Sequence, residues 1–196
     1  SFTPYPKLEL LSSLLDQVRE RKSIVYHDFI FSGALIEREL QRLKIGYVRL
    51  KDSKEEPGVL LDRFDNDDEV RVFILNNFEA SGLNLQTADY GFFYESPVPI
   101  IKRKQAERRF VRQHSKHKRV FLYDLVVEGT MDERILELHK QQLPWLLRVA
   151  AGLHRLPHVE KALLDARDQL RVARLQARFD RLDVVQVGVK DDLRRA

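Results

Sequence analysis

The sequence predicts an α/β domain: a doubly wound, mainly parallel sheet with helices on both faces, followed by a C-terminal helical extension. Short, near-continuously apolar runs alternate with amphipathic stretches along most of the chain, as parallel strands covered on both faces require. The connections are long enough for helical crossovers, whose right-handedness winds such units into an open sheet. Ligands of such a sheet lie outside the carboxyl ends of its strands.

The elements follow in order. After Pro6, a first-turn residue, Lys7 to Arg19 carries Leu8, Leu11, Leu14, Leu15 and Val18 at helical spacing. Ser23 to His27 is a short buried-type strand, and a helix from about Ser32 to Leu43 leads to a strand at Gly46–Leu50. Residues 56–65 read as a short helix beginning at Pro57. Val70–Leu75 and Gly91–Tyr94 are apolar strands, Lys102–His114 a basic helix and Arg119–Val127 a long strand. Thr130 to roughly Trp145 is a helix, with Thr130 as N-cap and Glu133 three residues on, the pattern of a capping box. Composition shifts after Pro144, and Gly152 and Pro157 mark a break. Val159, Leu163, Ala166, Leu170, Ala173 and Ala177 then give an amphipathic helix over His158–Leu182, and Val184–Val189 a short strand. The expected division is a lobe at 1–148 and an extension at 149–196.

At 196 residues, 43% hydrophobic and 33% charged, the chain has the composition of a globular protein. No apolar run approaches the roughly 18 residues of a membrane span. Without cysteine, disulfides and thiol chemistry are excluded. The opening Ser1-Phe2-Thr3-Pro4 lacks a signal-peptide pattern and reads as a piece of something longer.

Gln105, Arg109 and Arg112 fall at i, i+4 and i+7, one face of a helix. Two guanidiniums on a shared stripe make a receptor for phosphate oxygens. The other half of a nucleotide site is missing: no glycine opens a G-x-x-x-x-G-K-[ST] loop, and no Asp-Glu pair ends a strand as a magnesium motif would. From Lys102 to Arg119 stand nine Lys or Arg against one acid, Glu107. That excess points to polyanions as partners, because a solvated helix face mixes signs more evenly.

With Gly82-Leu83-Asn84-Leu85-Gln86-Thr87-Ala88-Asp89 ahead of the arginine stripe, residues 6–138 resemble the second RecA-like domain of superfamily 2 helicases. Within that superfamily they look most like the Swi/Snf group of DNA translocases and their bacterial and viral relatives. Pro6–Leu11 is similar to that group's first helix, Val25–Leu40 to its fourth motif in pattern, and Gly82–Asp89 to its fifth. Gln105, Arg109 and Arg112 match the key positions of the sixth, and Val127–Ile135 a run that follows it. The resemblance implies a motor of two lobes that close on ATP and Mg2+ and track along DNA, with RNA as the alternate polymer. The catalytic residues carried over are Arg109 and Arg112, reaching to a nucleotide held by the absent N-terminal RecA-like lobe, and Gln105, which orients them. Gly82, Asn84 and Glu79 fall on the nucleotide-proximal segment. Asn76, His27, Lys102, Arg103 and Lys104 fall where the nucleic-acid backbone is met.

The chain departs from the group's pattern at several points. Asn76, Glu79 and Ala80 stand where a Ser/Thr and two glycines are usual, and Glu79 would repel a phosphate. His27 and Asp28 replace Ser and Gln, and His114 and Ser115 replace Gly and Gln. These replacements support a second reading, a non-catalytic degenerate lobe that binds protein or nucleic acid, with a protein partner on residues 149–196. No metal site is expected: His114/His117 and His154/His158 lack further ligands, and Asp65, Asp67 and Asp68 lack the glycine and glutamate of a calcium loop. Phe92, Phe93, Phe121 and Tyr123 read as core rather than as base-stacking platforms. The expected setting is intracellular, in a bacterial or phage-like cytoplasm or nucleoid rather than a nucleus, with no membrane partner.

Overall fold

The apolar runs become strands β1 (Ser23–His27), β2 (Gly46–Leu50), β3 (Val70–Asn76), β4 (Tyr90–Phe93), β5 (Val120–Val127) and β6 (Leu182–Val189). Between them run α1 (Pro6–Gln17), α2 (Ile30–Leu43), α3 (Pro57–Asn66), α4 (Ile100–Phe110) and α5 (Met131–Ala150). The structure is a computed structural model, and it describes residues 5–50, 56–76, 83–110, 119–150 and 182–189. All pairings are parallel, in the order β2-β3-β1-β4-β5-β6. The chain winds outward from β1 on one side, returns through β3, and then builds on the other side from β4. The switch point therefore lies at the carboxyl ends of β1, β3 and β4, where open α/β sheets bind ligands.

Alternation along each strand divides the core into two layers. Ile24, Tyr26, Phe73, Leu75, Phe93 and Leu122 face α3 and α4, packing with Phe64 and Ala106. Val25, Val72, Ile74, Phe92 and Leu125 face the other way, against Leu8, Leu11 and Leu15 of α1 and Ile36 and Leu40 of α2. Every residue of β1 is buried because neighbours and helices cover it on all sides.

The helices are local products of their sequences. Pro6 and Pro57 open α1 and α3, where a missing N–H costs nothing. α2 ends on Lys44 in the left-handed region (φ 55°), with the Ile45 N–H returning 3.0 Å to the Leu40 carbonyl. A side chain on Gly46 would collide with the Glu69 carbonyl, so glycine permits β2 to meet β3 there. At α5, Thr130 Oγ1 accepts from the Asp132 N–H at 3.2 Å, while the Glu133 carboxylate takes the Gly129 N–H at 2.9 Å. The capping residues are those expected, but the reciprocal bond falls one position earlier. α5 also runs on through Pro144, which withholds the bond to the Lys140 carbonyl without ending the helix. β6, inside the segment 149–196, realises the short strand expected near the C-terminus and extends the lobe's sheet beside β5. The helix expected over 158–182 lies almost wholly outside the described residues.

Candidate functional site

Three strand ends build the switch point. His27 and Asn76 are paired across β1 and β3. His27 is buried, with Nδ1 3.0 Å from the Phe29 carbonyl. Asn76 is half-buried and donates from Nδ2 to the Asp28 carbonyl at 3.0 Å. After β4, Glu95 accepts from the Asp28 N–H at 3.0 Å and from Ser32 Oγ at 2.6 Å, which holds the β1–α2 turn against the β4–α4 loop. Burial pushes the Glu95 carboxyl above its ordinary range, opposed by the Ser32 and Asp28 hydrogen bonds. Gly33 lets α2 approach this edge: a side chain there would strike the Arg49 guanidinium and the His27 ring. His27 and Asn76, expected at the nucleic-acid backbone, thus also serve the turn, and His27 is enclosed rather than presented.

The fifth-motif segment anchors itself by alternation. Leu83 and Leu85 are buried in the core, and Asn84 between them is exposed. Gly82 and Glu79 lie outside the described residues.

On α4 the exposed positions are Ile101, Gln105 and Arg108, with Arg109 half-exposed. Gln105 and Arg109, one turn apart, share a face as their spacing requires. The Arg109 guanidinium lies against the hydroxyl of Tyr26, which is fully buried on β1. Burial pushes that hydroxyl well above its ordinary value, and the charges of Arg109 and Arg103 pull against the shift. Arg112 lies outside the described residues.

Arg103 is a correction to the sequence reading. Expected on a phosphate-facing patch, it is only 3% exposed. The cause is the register: Tyr26, Phe93 and Asp124 stand in one row across β1, β4 and β5, on the side that α4 covers. Tyr26 stacks on Phe93 at 4.7 Å, and the Arg103 guanidinium lies 3.6 Å from the Phe93 ring centre. Arg103 pairs with Asp124, and its Nε donates to Glu107 at 2.9 Å. Burial opposes the charge of Arg103, and Asp124 and Glu107 outweigh it, holding the guanidinium above its ordinary value. Lys104 Nζ is half-spent on Glu107 at 2.6 Å, and Lys102 is half-buried. The outward charge of α4 is therefore smaller than its sequence suggests.

Sequence reasoning missed Glu95, Ser96, Asp124 and His139 as parts of this region. Asp124 carried a signal, a lone acid inside Val120–Val127, which asks for a buried partner. Glu95 and His139 carried none, since their partners are backbone groups or distant in sequence. Among the described residues, no group of three His, Asp or Glu is placed to hold a metal ion, and no helix is long and apolar enough to cross a membrane.

No family profile matches the chain. It is 30% identical over 143 residues to the CHD3-type chromatin-remodeling factor CHR7 of Arabidopsis thaliana, covering 70% of this chain and 12% of that protein. It is 29% identical over 142 residues to the ATP-dependent helicase fft2 of Schizosaccharomyces pombe, covering 70% and 11%. It is 28% identical over 142 residues to the human chromatin-remodeling ATPase INO80, covering 69% and 9%. The chain thus spans about a tenth of the length of these relatives. In fold it is similar to the crystal structure of the C-terminal part of the Fun30 ATPase domain, with a TM-score of 0.63 at 21% identity, covering 87% of this chain and 54% of that one. The expected bacterial or phage-like setting is overturned: the matched relatives are plant, fission-yeast and vertebrate proteins, several of them named for chromatin remodelling.

Proposed function

Because the chain belongs to the Swi/Snf-type group of superfamily 2 helicase ATPases, as the C-terminal RecA-like domain of such a motor, we propose that it supplies Arg109 and Arg112 to ATP bound by an N-terminal RecA-like lobe. Phosphoryl transfer gains from positioning and charge neutralisation rather than from covalent chemistry. A guanidinium contributed across a cleft makes hydrolysis wait for lobe closure, which couples the chemical step to motion along DNA. Gln105, one turn before Arg109 and exposed, is the orienting amide. Asn84, held outward by its two leucines, is the group offered to the nucleotide. Mg2+ would arrive with the triphosphate on ligands of the other lobe. Asn76, Lys102 and Lys104 are assigned to the nucleic-acid backbone, and residues 149–196 to a protein partner.

The observation that carries this reading is α4 itself, fixed to the sheet through Arg103, with Gln105 exposed and Arg109 half-exposed one turn apart. In the two-lobe protein, Arg109→Ala is expected to cut ATP hydrolysis by about 10³-fold or more while the fold persists. Hydrolysis equal to wild type would instead favour a degenerate lobe that only binds.

A further inference from the structure

Among the α4 residues whose side chains are described, the buried positions are Ile100, Arg103, Ala106 and Glu107, two of them charged. Apolar contact is non-directional, so it fixes the rotation of a helix only weakly. The directional contacts come from Arg103. Its Nη2 donates to Asp124 Oδ2 at 3.0 Å, its Nη1 to Ser96 Oγ at 2.7 Å and to Asp124 Oδ1, and its Nε to Glu107 at 2.9 Å. Ser96 completes the ring by donating 2.6 Å to Asp124. A planar fork satisfied by two carboxylates and a hydroxyl, over an aromatic face, admits one orientation. At the start of the helix, His139 Nε2 of α5 meets the Pro97 and Val98 carbonyls at 2.8 and 3.1 Å. The loop before α4 is thereby held as well.

We propose that Arg103 is a positioning residue for Arg109. Its buried pair with Asp124 sets the rotation of α4, and so decides where the Arg109 head stands relative to the row Tyr26–Phe93–Asp124. The importance of that placement rests on the reading of Arg109 as nucleotide-directed. A side-chain head about 6 Å from a helix axis moves about 1 Å for a rotation of about 10°. A misplacement of that size can cost on the order of 10²-fold in rate.

The test uses the two-lobe protein for kinetics and the 196-residue chain for spectroscopy. Arg103→Lys keeps the charge and loses the fork. The triple substitution Arg103→Met, Glu107→Gln and Asp124→Leu replaces the pair by groups that such sites commonly accept without unfolding. For each variant, measured well below its melting temperature, kcat is expected to fall roughly 10- to 100-fold with KM for ATP within about twofold. The Nε–Hε nuclear magnetic resonance signal of Arg109, identified through Arg109→Lys, is expected to move or broaden in both variants of the chain. Wild-type kcat and an unmoved Arg109 signal in folded Arg103→Lys would overturn the proposal, whatever the triple variant does. If Arg109→Ala leaves hydrolysis intact, the functional reading falls separately, and the Arg109 signal alone then decides whether Arg103 orients it.

Discussion

Arg103 and Arg109 are six residues apart on one helix and both act on the Tyr26 hydroxyl, yet one is buried and the other half-exposed. Both contribute to the nine-to-one excess of basic residues that marks this stretch of sequence. Nothing in that count separates a guanidinium locked under the helix from one on its rim. The separating signal is in a different element, Asp124 within an apolar strand, and it becomes legible only once the parallel register sets Asp124 beside Phe93. Breaking a buried pair leaves an uncompensated charge, so Arg103→Met alone should cost the chain about 3–5 kcal/mol. Equilibrium urea unfolding would show this as a lower midpoint with little change in slope. A midpoint equal to wild type would mean that the pair adds nothing to stability.

At the scale of elements, sequence patterns worked where burial and periodicity agree. β1 and β2 fall on the residues expected, because the apolar run and the neighbouring turns define both ends. α5 was legible at its cap and less so at its far end, expected near Trp145, while the backbone stays helical to Ala150. Thr130→Ala should destabilise the chain by about 1 kcal/mol, the usual worth of a lost N-cap, read from thermal or urea unfolding. The same helix carries a pH dependence. Burial lowers the His139 pKa, with the Val98 and Pro97 carbonyls opposing. The unfolded state then takes up its proton first as pH falls below about 6.5, so this group's contribution is complete above that value and declines on acidification. His139→Gln, which keeps a donor for the Pro97 carbonyl, should flatten the fall in stability between pH 7 and 5. An unchanged slope would place its cause elsewhere.

For the whole molecule, the sheet order brings the carboxyl ends of β1, β3 and β4 together at one edge. The chain leaves β3 for the opposite side of β1, and the loop before α4 starts at that switch point. This much was legible, because strand–helix alternation and right-handed crossovers permit few other arrangements. Its electrostatics were not: the burial of His27 and Arg103 depends on which face each strand turns to α2 and α4. With no phosphate loop in its sequence, the chain alone is expected to turn over no ATP. Its nucleic-acid binding should be modest and weaken steeply with salt, the logarithm of affinity falling linearly with that of salt concentration. Fluorescence anisotropy with a labelled duplex between 50 and 200 mM salt checks this, and salt-independent binding would point to apolar contacts instead. The most direct measurement of the central claim is ATP hydrolysis by the N-terminal lobe, alone and after addition of this chain. The wild-type chain should raise the rate well above that of the lobe alone, and the Arg109→Ala chain should not. Equal stimulation by both chains would contradict the assignment of Arg109 to the triphosphate.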